Sequence, residues 1–226
     1  MKLKAIHQIE ITSRCNLRCV YCVHPKMPRP KQDMDWNTFS RSLNLVTILW
    51  EKYHVDRELN LAGIGESTIH PNFLNYVSVA RKQLSTEIVV LFATNGVEVT
   101  QLMVDRLAEI RDHDGPIGCW VSLHRPEKAQ KAVQMLKAKG LLLGISTDPA
   151  TNSVDWAGQV DWPITSPDRT PCMWLGGGLG MVASNGDILQ CCFDGIGRSS
   201  IGTVWDNPHE LEVKVHELCA TCQYPH

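Results

Sequence analysis

Nowhere in the 226 residues do about 18 apolar residues follow one another without interruption, so the sequence offers no membrane-spanning helix. The amino terminus, MKLKAIHQIEITSRC, also lacks an apolar stretch long enough for a secretory signal. Neither sign of charge is in surplus: 22 Lys and Arg against 24 Asp and Glu leave a formal net charge of −2. That balance lends no support to a general attraction for nucleic acid or an anionic membrane. Repeats and low-complexity tracts are missing, and 43% hydrophobic with 20% charged residues excludes disorder as the dominant state. These absences leave a soluble, cytoplasmic protein with one main domain, since a chain of this size buries one sizeable core and at most a small appended subdomain. Cysteine, by contrast, is abundant. Nine is a high count where thiols are kept reduced, and it points to metal or redox chemistry before disulfides.

Short runs rich in β-branched residues alternate with helical patterns. The strand candidates are residues 7–11 (HQIEI), 57–63 (RELNLAG), 87–94 (EIVVLFAT), 116–123 (PIGCWVSL) and 141–147 (LLLGIST). Asp35 is placed to cap a helix in which Trp36, Phe39, Leu43 and Val46 recur at helical spacing, and Pro71, Pro126 and Gly140 fall where helices start and stop. The alternating order predicts an α/β fold with a parallel sheet and right-handed crossovers. Residues 149–180, rich in Pro, Gly, Asp and Trp, read as a linker passing into an irregular region, with a boundary near residues 150 to 165.

Cys15, Cys19 and Cys22 follow directly on the first strand, where βα folds place their chemistry. Their spacing lets three thiolates converge on one small object. Closed zinc sites need four ligands, and nothing nearby supplies the fourth unless His24 does. Three thiolates on an iron–sulfur cubane would leave one iron open to a substrate or cofactor.

This CxxxCxxC, with Tyr21 before the last cysteine, resembles the signature of the radical S-adenosylmethionine (SAM) superfamily. The resemblance implies a partial (βα)5–6 barrel over residues 1–155, a [4Fe–4S] cluster on Cys15, Cys19 and Cys22, and SAM chelated to the open iron. It further implies reductive cleavage of SAM to a 5′-deoxyadenosyl radical that abstracts hydrogen, with an electron donor such as flavodoxin or ferredoxin. Gly63, Gly65 and Glu66 in LAGIGEST are similar to the family's GGE motif, which receives the SAM amino group. Thr94, Asn95 and Gly96 match its TNG, and Ser122 matches a position that contacts the SAM ribose or carboxylate. Each also has an ordinary reading as a turn or cap residue. His124 departs from the acidic residue many relatives carry there.

Residues 156–226 hold five cysteines, and so little periodic apolar sequence that a metal is expected to complete the core. The C-x13-G-x4-C from Cys172 to Cys191, with the CxxC of Cys219 and Cys222, resembles the SPASM and twitch extensions that hold auxiliary clusters. That resemblance implies a second [4Fe–4S] cluster on Cys172, Cys191, Cys219 and Cys222; four thiolates also suit zinc, and Cys192 is an alternative to Cys191. The chain ends too soon after Cys222 for a further cluster. Cys119, inside an apolar strand, reads as a core residue.

The substrate is less legible. Lys26, Arg29 and Lys31 form a basic run that reads as a solvated loop or as a contact for phosphate or carboxylate. Trp156, Trp162 and Trp174 read as core packing or as stacking surfaces for a planar substrate. Oxidation of a small metabolite, peptide maturation, and rearrangement of a modified nucleotide or a hypermodified phage thymine all remain open. Only 14 residues precede Cys15, which argues against the leader-binding domain of many peptide maturases. A non-catalytic iron–sulfur or zinc scaffold would leave the GIGE, TNG and Ser122 features without a role.

Overall fold

The computed structural model of the chain describes residues 1–146, 155–163, 171–222 and 224. Parts of the expected linker and boundary, at residues 147–154 and 164–170, lie outside the described residues. Five strands, β1 (Ala5–Ile9), β2 (Glu58–Asn60), β3 (Val89–Thr94), β4 (Ile117–Ser122) and β5 (Leu142–Ser146), alternate with helices α1 (Trp36–Tyr53), α2 (Phe73–Gln83), α3 (Gln101–Asp114) and α4 (Pro126–Ala138). All neighbouring pairs among these strands are parallel.

The tail is not irregular, as its composition suggested. After a short α5 (Met173–Gly177) come β6 (Leu179–Val182), β7 (Asp187–Leu189) and β8 (Ser200–Thr203). They extend the same sheet, in the order β5-β4-β3-β2-β1-β6-β7-β8, with β6 parallel to β1 and the last two strands antiparallel. Every residue of β6 is buried, so this strand has no alternation to betray it. The glycine run beside it ends α5, where Gly178 takes φ 68, and then enters the strand.

One continuous core lies between sheet and helices, with Ile9, Phe39, Leu43, Leu59, Val77 and Val90 all fully or almost fully buried. Cys119 belongs to it, fully buried. On β4, Ile117, Cys119 and Val121 are buried while Trp120 is exposed, and Ser122, half-buried at the carboxyl end, lines a cavity. Asp35 caps α1, its carboxylate accepting the amides of Asn37 and Thr38 and the Thr38 hydroxyl. Those bonds, led by the Thr38 amide, hold its pKa below the usual aspartate value. Asp35→Ala should therefore lose about 1 kcal/mol in a denaturant titration at neutral pH. Because the folded pKa is the lower one, this contribution is complete above the ordinary aspartate pKa and disappears as pH falls through the folded value; an unchanged variant at neutral pH would deny the cap its role. Among the described residues, no helix is long and apolar enough to cross a membrane.

Candidate cluster and cofactor site

The loop that leaves β1 is fixed before it reaches its cysteines. Thr12 Oγ1 donates to Asp33 at 2.7 Å, the Ser13 amide donates to the Gln32 carbonyl at 2.9 Å, and the Gln32 amide returns a bond to Ser13 Oγ at 2.9 Å. The Glu66 amide donates to the Arg14 carbonyl at 2.7 Å, which docks the turn after β2 on the same loop. Gly65 is needed for that approach: a Cβ there would sit 2.1 Å from the Thr12 carbonyl oxygen and 2.6 Å from that of Arg14. At Gly63 a Cβ would come within 2.5 Å of the Glu10 side chain. Both glycines thus serve close packing of two loops rather than left-handed turns. Gly65→Ala should displace the two loops and destabilise the protein by about 1–3 kcal/mol in a denaturant titration; parent stability in that variant would show that the contact is dispensable.

Cys15, Cys19, Cys22, Tyr21, Gly63, Gly65, Glu66, Thr94, Asn95 and Ser122 all line one cavity of about 220 Å³ at the carboxyl ends of the strands. His24, His124, Ser146 and Trp156 line it too, of which Ser146 had no sequence signal beyond its place at the end of β5. Glu66 is buried and fully engaged on one oxygen: Oε1 accepts from Thr68 Oγ1 at 2.6 Å, Thr94 Oγ1 at 2.7 Å and the Thr68 amide at 3.2 Å. Oε2 accepts the Asn95 amide at 2.7 Å and keeps room for another donor. Burial raises its pKa despite these donors. Thr94 and Asn95 therefore act as turn residues and as the frame of Glu66 at once. His124 Nδ1 pairs with the Tyr21 hydroxyl at 2.8 Å, and burial, then Arg125, lowers its pKa, favouring the neutral ring.

The charged run beside this loop resolves into one internal ion pair. Arg29 donates from Nη1 to Glu10 Oε2 at 2.9 Å, from Nη2 to Oε1 at 3.2 Å, and from Nε to the Gly195 carbonyl at 3.2 Å. Glu10 is fully buried and also accepts the amides of Ile64 at 3.0 Å and Ser184 at 3.2 Å. The anion that Arg29 meets is thus part of the chain itself, while Lys26 and Lys31 are exposed. Sequence reasoning missed Glu10 because its place in HQIEI reads as the solvent side of an alternating strand.

A second cavity, of about 430 Å³, is lined by Cys172, Cys191, Cys192, Cys219 and Cys222, together with Trp174, Phe193 and His216. All nine cysteines are free thiols. Burial raises the pKa of Cys15, of Cys22 to about 11, of Cys191 to about 12, and of Cys222 and Cys192 as well. Such thiols stay protonated until a metal displaces the proton. The amide two residues on donates to sulfur in four cases: Leu17 to Cys15 and His24 to Cys22, both at 3.4 Å, Phe193 to Cys191, and Tyr224 to Cys222. Donors of this kind favour thiolate, and so suit a metal-bound sulfur. Among the described residues no three His, Cys, Asp or Glu side chains converge tightly enough for a single metal ion. The donor sets, three thiols lining one cavity and five the other, have the chemistry that iron–sulfur clusters and zinc both take.

The two cavities share an aromatic wall. Trp156 lines the first, donates from Nε1 to the Tyr21 carbonyl at 3.0 Å, and meets Phe193 of the second edge-on at 5.8 Å. Trp162 packs edge-on against Tyr21 at 5.5 Å, and Trp174 against His7 at 5.4 Å.

No protein-family model matches the chain. Over 102 residues it is 35% identical to the tungsten-containing aldehyde ferredoxin oxidoreductase cofactor-modifying protein of Pyrococcus furiosus and, over a stretch of the same length, 30% identical to the GTP 3′,8-cyclase of Chlorobaculum tepidum. Each match takes in 45% of this chain and little more than a quarter of the relative, 27% and 28%. Among solved structures, BtrN in complex with AdoMet (SAM) and 2-DOIA superposes with a TM-score of 0.71 at 18% identity, covering 90% of this chain and 79% of BtrN. Histidine-tagged anSMEcpe with bound AdoMet gives 0.62 at 15% identity, covering 95% and 85%. The architecture agrees with these AdoMet-bound neighbours, and the chain shares their fold.

Proposed function

We propose that the chain is a radical SAM enzyme that oxidises a small alcohol-bearing substrate, with residues 1–155 as the SAM-binding barrel and residues 156–226 holding an auxiliary [4Fe–4S] cluster. The observation that carries this reading is the pair of cysteine-lined cavities separated by the Trp156–Phe193 contact. When bound, the first cluster supplies the electron that cleaves SAM to methionine and a 5′-deoxyadenosyl radical, and the second supplies an acceptor for the electron left by an oxidised substrate. Flavodoxin or ferredoxin would be the external donor.

The chain's own part is to bind and orient. Cys15, Cys19 and Cys22 hold the first cluster and leave one iron for SAM. Glu66 Oε2 receives the SAM amino group, with Thr94, Thr68 and Asn95 fixing the carboxylate. Ser122, at the end of β4, lines the same cavity and would contact the SAM ribose or carboxylate. Tyr21, held by His124 and Trp156, keeps the cysteine loop closed against the barrel. Cys172, Cys191, Cys219 and Cys222 hold the second cluster. Cys191 is favoured over Cys192 because it accepts the Phe193 amide, whereas Cys192 packs with Met181, Ala183 and Leu189.

BtrN, bound to 2-DOIA beside AdoMet, supports a small-molecule substrate. The stretch shared with GTP 3′,8-cyclase supports a second reading, rearrangement of a nucleotide. The test is SAM cleavage by the anaerobically reconstituted, reduced protein, with 5′-deoxyadenosine as product; none formed, with or without small alcohols and nucleotides, would leave only a scaffold. Cys219→Ala with Cys222→Ala should remove about half the bound iron, Cys191→Ala should do the same, and Cys192→Ala should retain it. Equal iron loss from Cys191→Ala and Cys192→Ala would overturn the assignment between them.

A further inference from the structure

His216 opens the turn that carries Cys219 and Cys222, a single 3-10 segment over Glu217–Thr221. Its Nδ1 accepts the Leu218 amide at 3.4 Å, which leaves the ring proton of the neutral side chain on Nε2. That Nε2 is buried and meets no hydrogen-bond acceptor among the described residues. A buried donor without an acceptor is rare in folded proteins, so Nε2–H is set to donate to a group added to its surroundings. Asp194 and then Glu217 are the carboxylates whose charge reaches the ring. Glu217, however, is exposed and paired with Arg198 at 3.2 Å, and Asp194 is fully buried, its oxygens already accepting the amides of Ile196 and Gly197 at 3.1 and 2.7 Å and of Ser199 at 2.5 Å. The space that His216 does line is the cavity of Cys172, Cys191, Cys219 and Cys222.

We infer that Nε2–H of His216 donates to a sulfur of the auxiliary cluster and raises its reduction potential, an inference that rests on the cluster reading given above. Reduction adds negative charge that is shared with the sulfurs, and a fixed N–H beside one of them stabilises the reduced form. The same geometry argues against His216 as a ligand. To bind iron through Nε2 it would have to move its proton to Nδ1, and the Leu218 amide would then lose its acceptor.

The experiment uses the full chain with Cys15, Cys19 and Cys22 changed to Ala, so that only the tail cluster is present, reconstituted with iron and sulfide and titrated against redox mediators by electron paramagnetic resonance. His216→Asn keeps a side-chain oxygen for the turn but is too short to reach the cavity. It should retain the parent's iron and move the midpoint potential to a more negative value. His216→Gln, which regains an N–H at longer reach, should move it back toward the parent. Full iron with an unmoved potential in both variants would overturn the role of His216 and leave the auxiliary cluster standing. Iron lost from either variant would assign His216 to ligation or to folding and would overturn the inference equally. Absence of iron from the tail of the parent itself would instead overturn the cluster reading.

Discussion

On the cluster assignment proposed above, replacing Cys15, Cys19 and Cys22 together with Ala should abolish 5′-deoxyadenosine formation while leaving the iron of the tail in place. The expectation follows from the donor set. The three thiols line one cavity with Glu66, Asn95 and Ser122, and no other cysteine lines that cavity to substitute for them. Their environment is costly without a metal, since burial holds Cys15 and Cys22 protonated, yet the amides of Leu17 and His24 point at their sulfurs. A loop preorganised for thiolates but depressing neither pKa is a loop awaiting a cation. Because the bonds that Cys15 and Cys22 accept are local, from the amides of Leu17 and His24, the triple variant should fold, and its circular dichroism should match the parent. Product formed at a tenth of the parent rate or more would count directly against these residues.

Much of the barrel can be read along the chain. Strands β2 to β5 each fall within one of the short runs singled out along the chain, and the cap at Asp35 and the proline at the start of α4 act where their chemistry places them. Strand β1 begins two residues earlier than HQIEI suggests, because Ala5 pairs with Leu179, a partner more than 170 positions away that no local pattern announces. Strands β6 and β7 are too short for any period to show, four and three residues long, and glycines surround them. Gly63 and Gly65 were visible as a motif, but their physical reason was not: both are required by atoms of the preceding loop, a tertiary fact. The grouping of the motif residues about one cavity was therefore legible, whereas the residues that fasten one motif to another were not.

Arg29→Ala is the clearest test of that second class, and it should destabilise the protein by about 3–5 kcal/mol, the usual cost of leaving one partner of a buried ion pair alone. Glu10 is fully buried, and the guanidinium is its one cationic partner among the described residues. The pair is worth more to this fold than an isolated contact, because it gathers four segments: β1 through Glu10, the cysteine loop through Arg29, the glycine turn through the Ile64 amide, and the tail through the Ser184 amide and the Gly195 carbonyl. At roughly 2–4 °C per kcal/mol for a chain of this size, the thermal midpoint should fall by about 6–20 °C. On the proposed reading, SAM affinity should fall with it, since the Ile64 amide belongs to the turn that carries Glu66. Restoring neutrality separates charge from packing: Arg29→Met combined with Glu10→Gln should recover part of the lost stability, because no buried charge is then left unpaired. A midpoint within about 2 °C of the parent for Arg29→Ala, less than 1 kcal/mol on the same scale, would mean that water or another cation reaches Glu10, and the four segments would then need a different fastening.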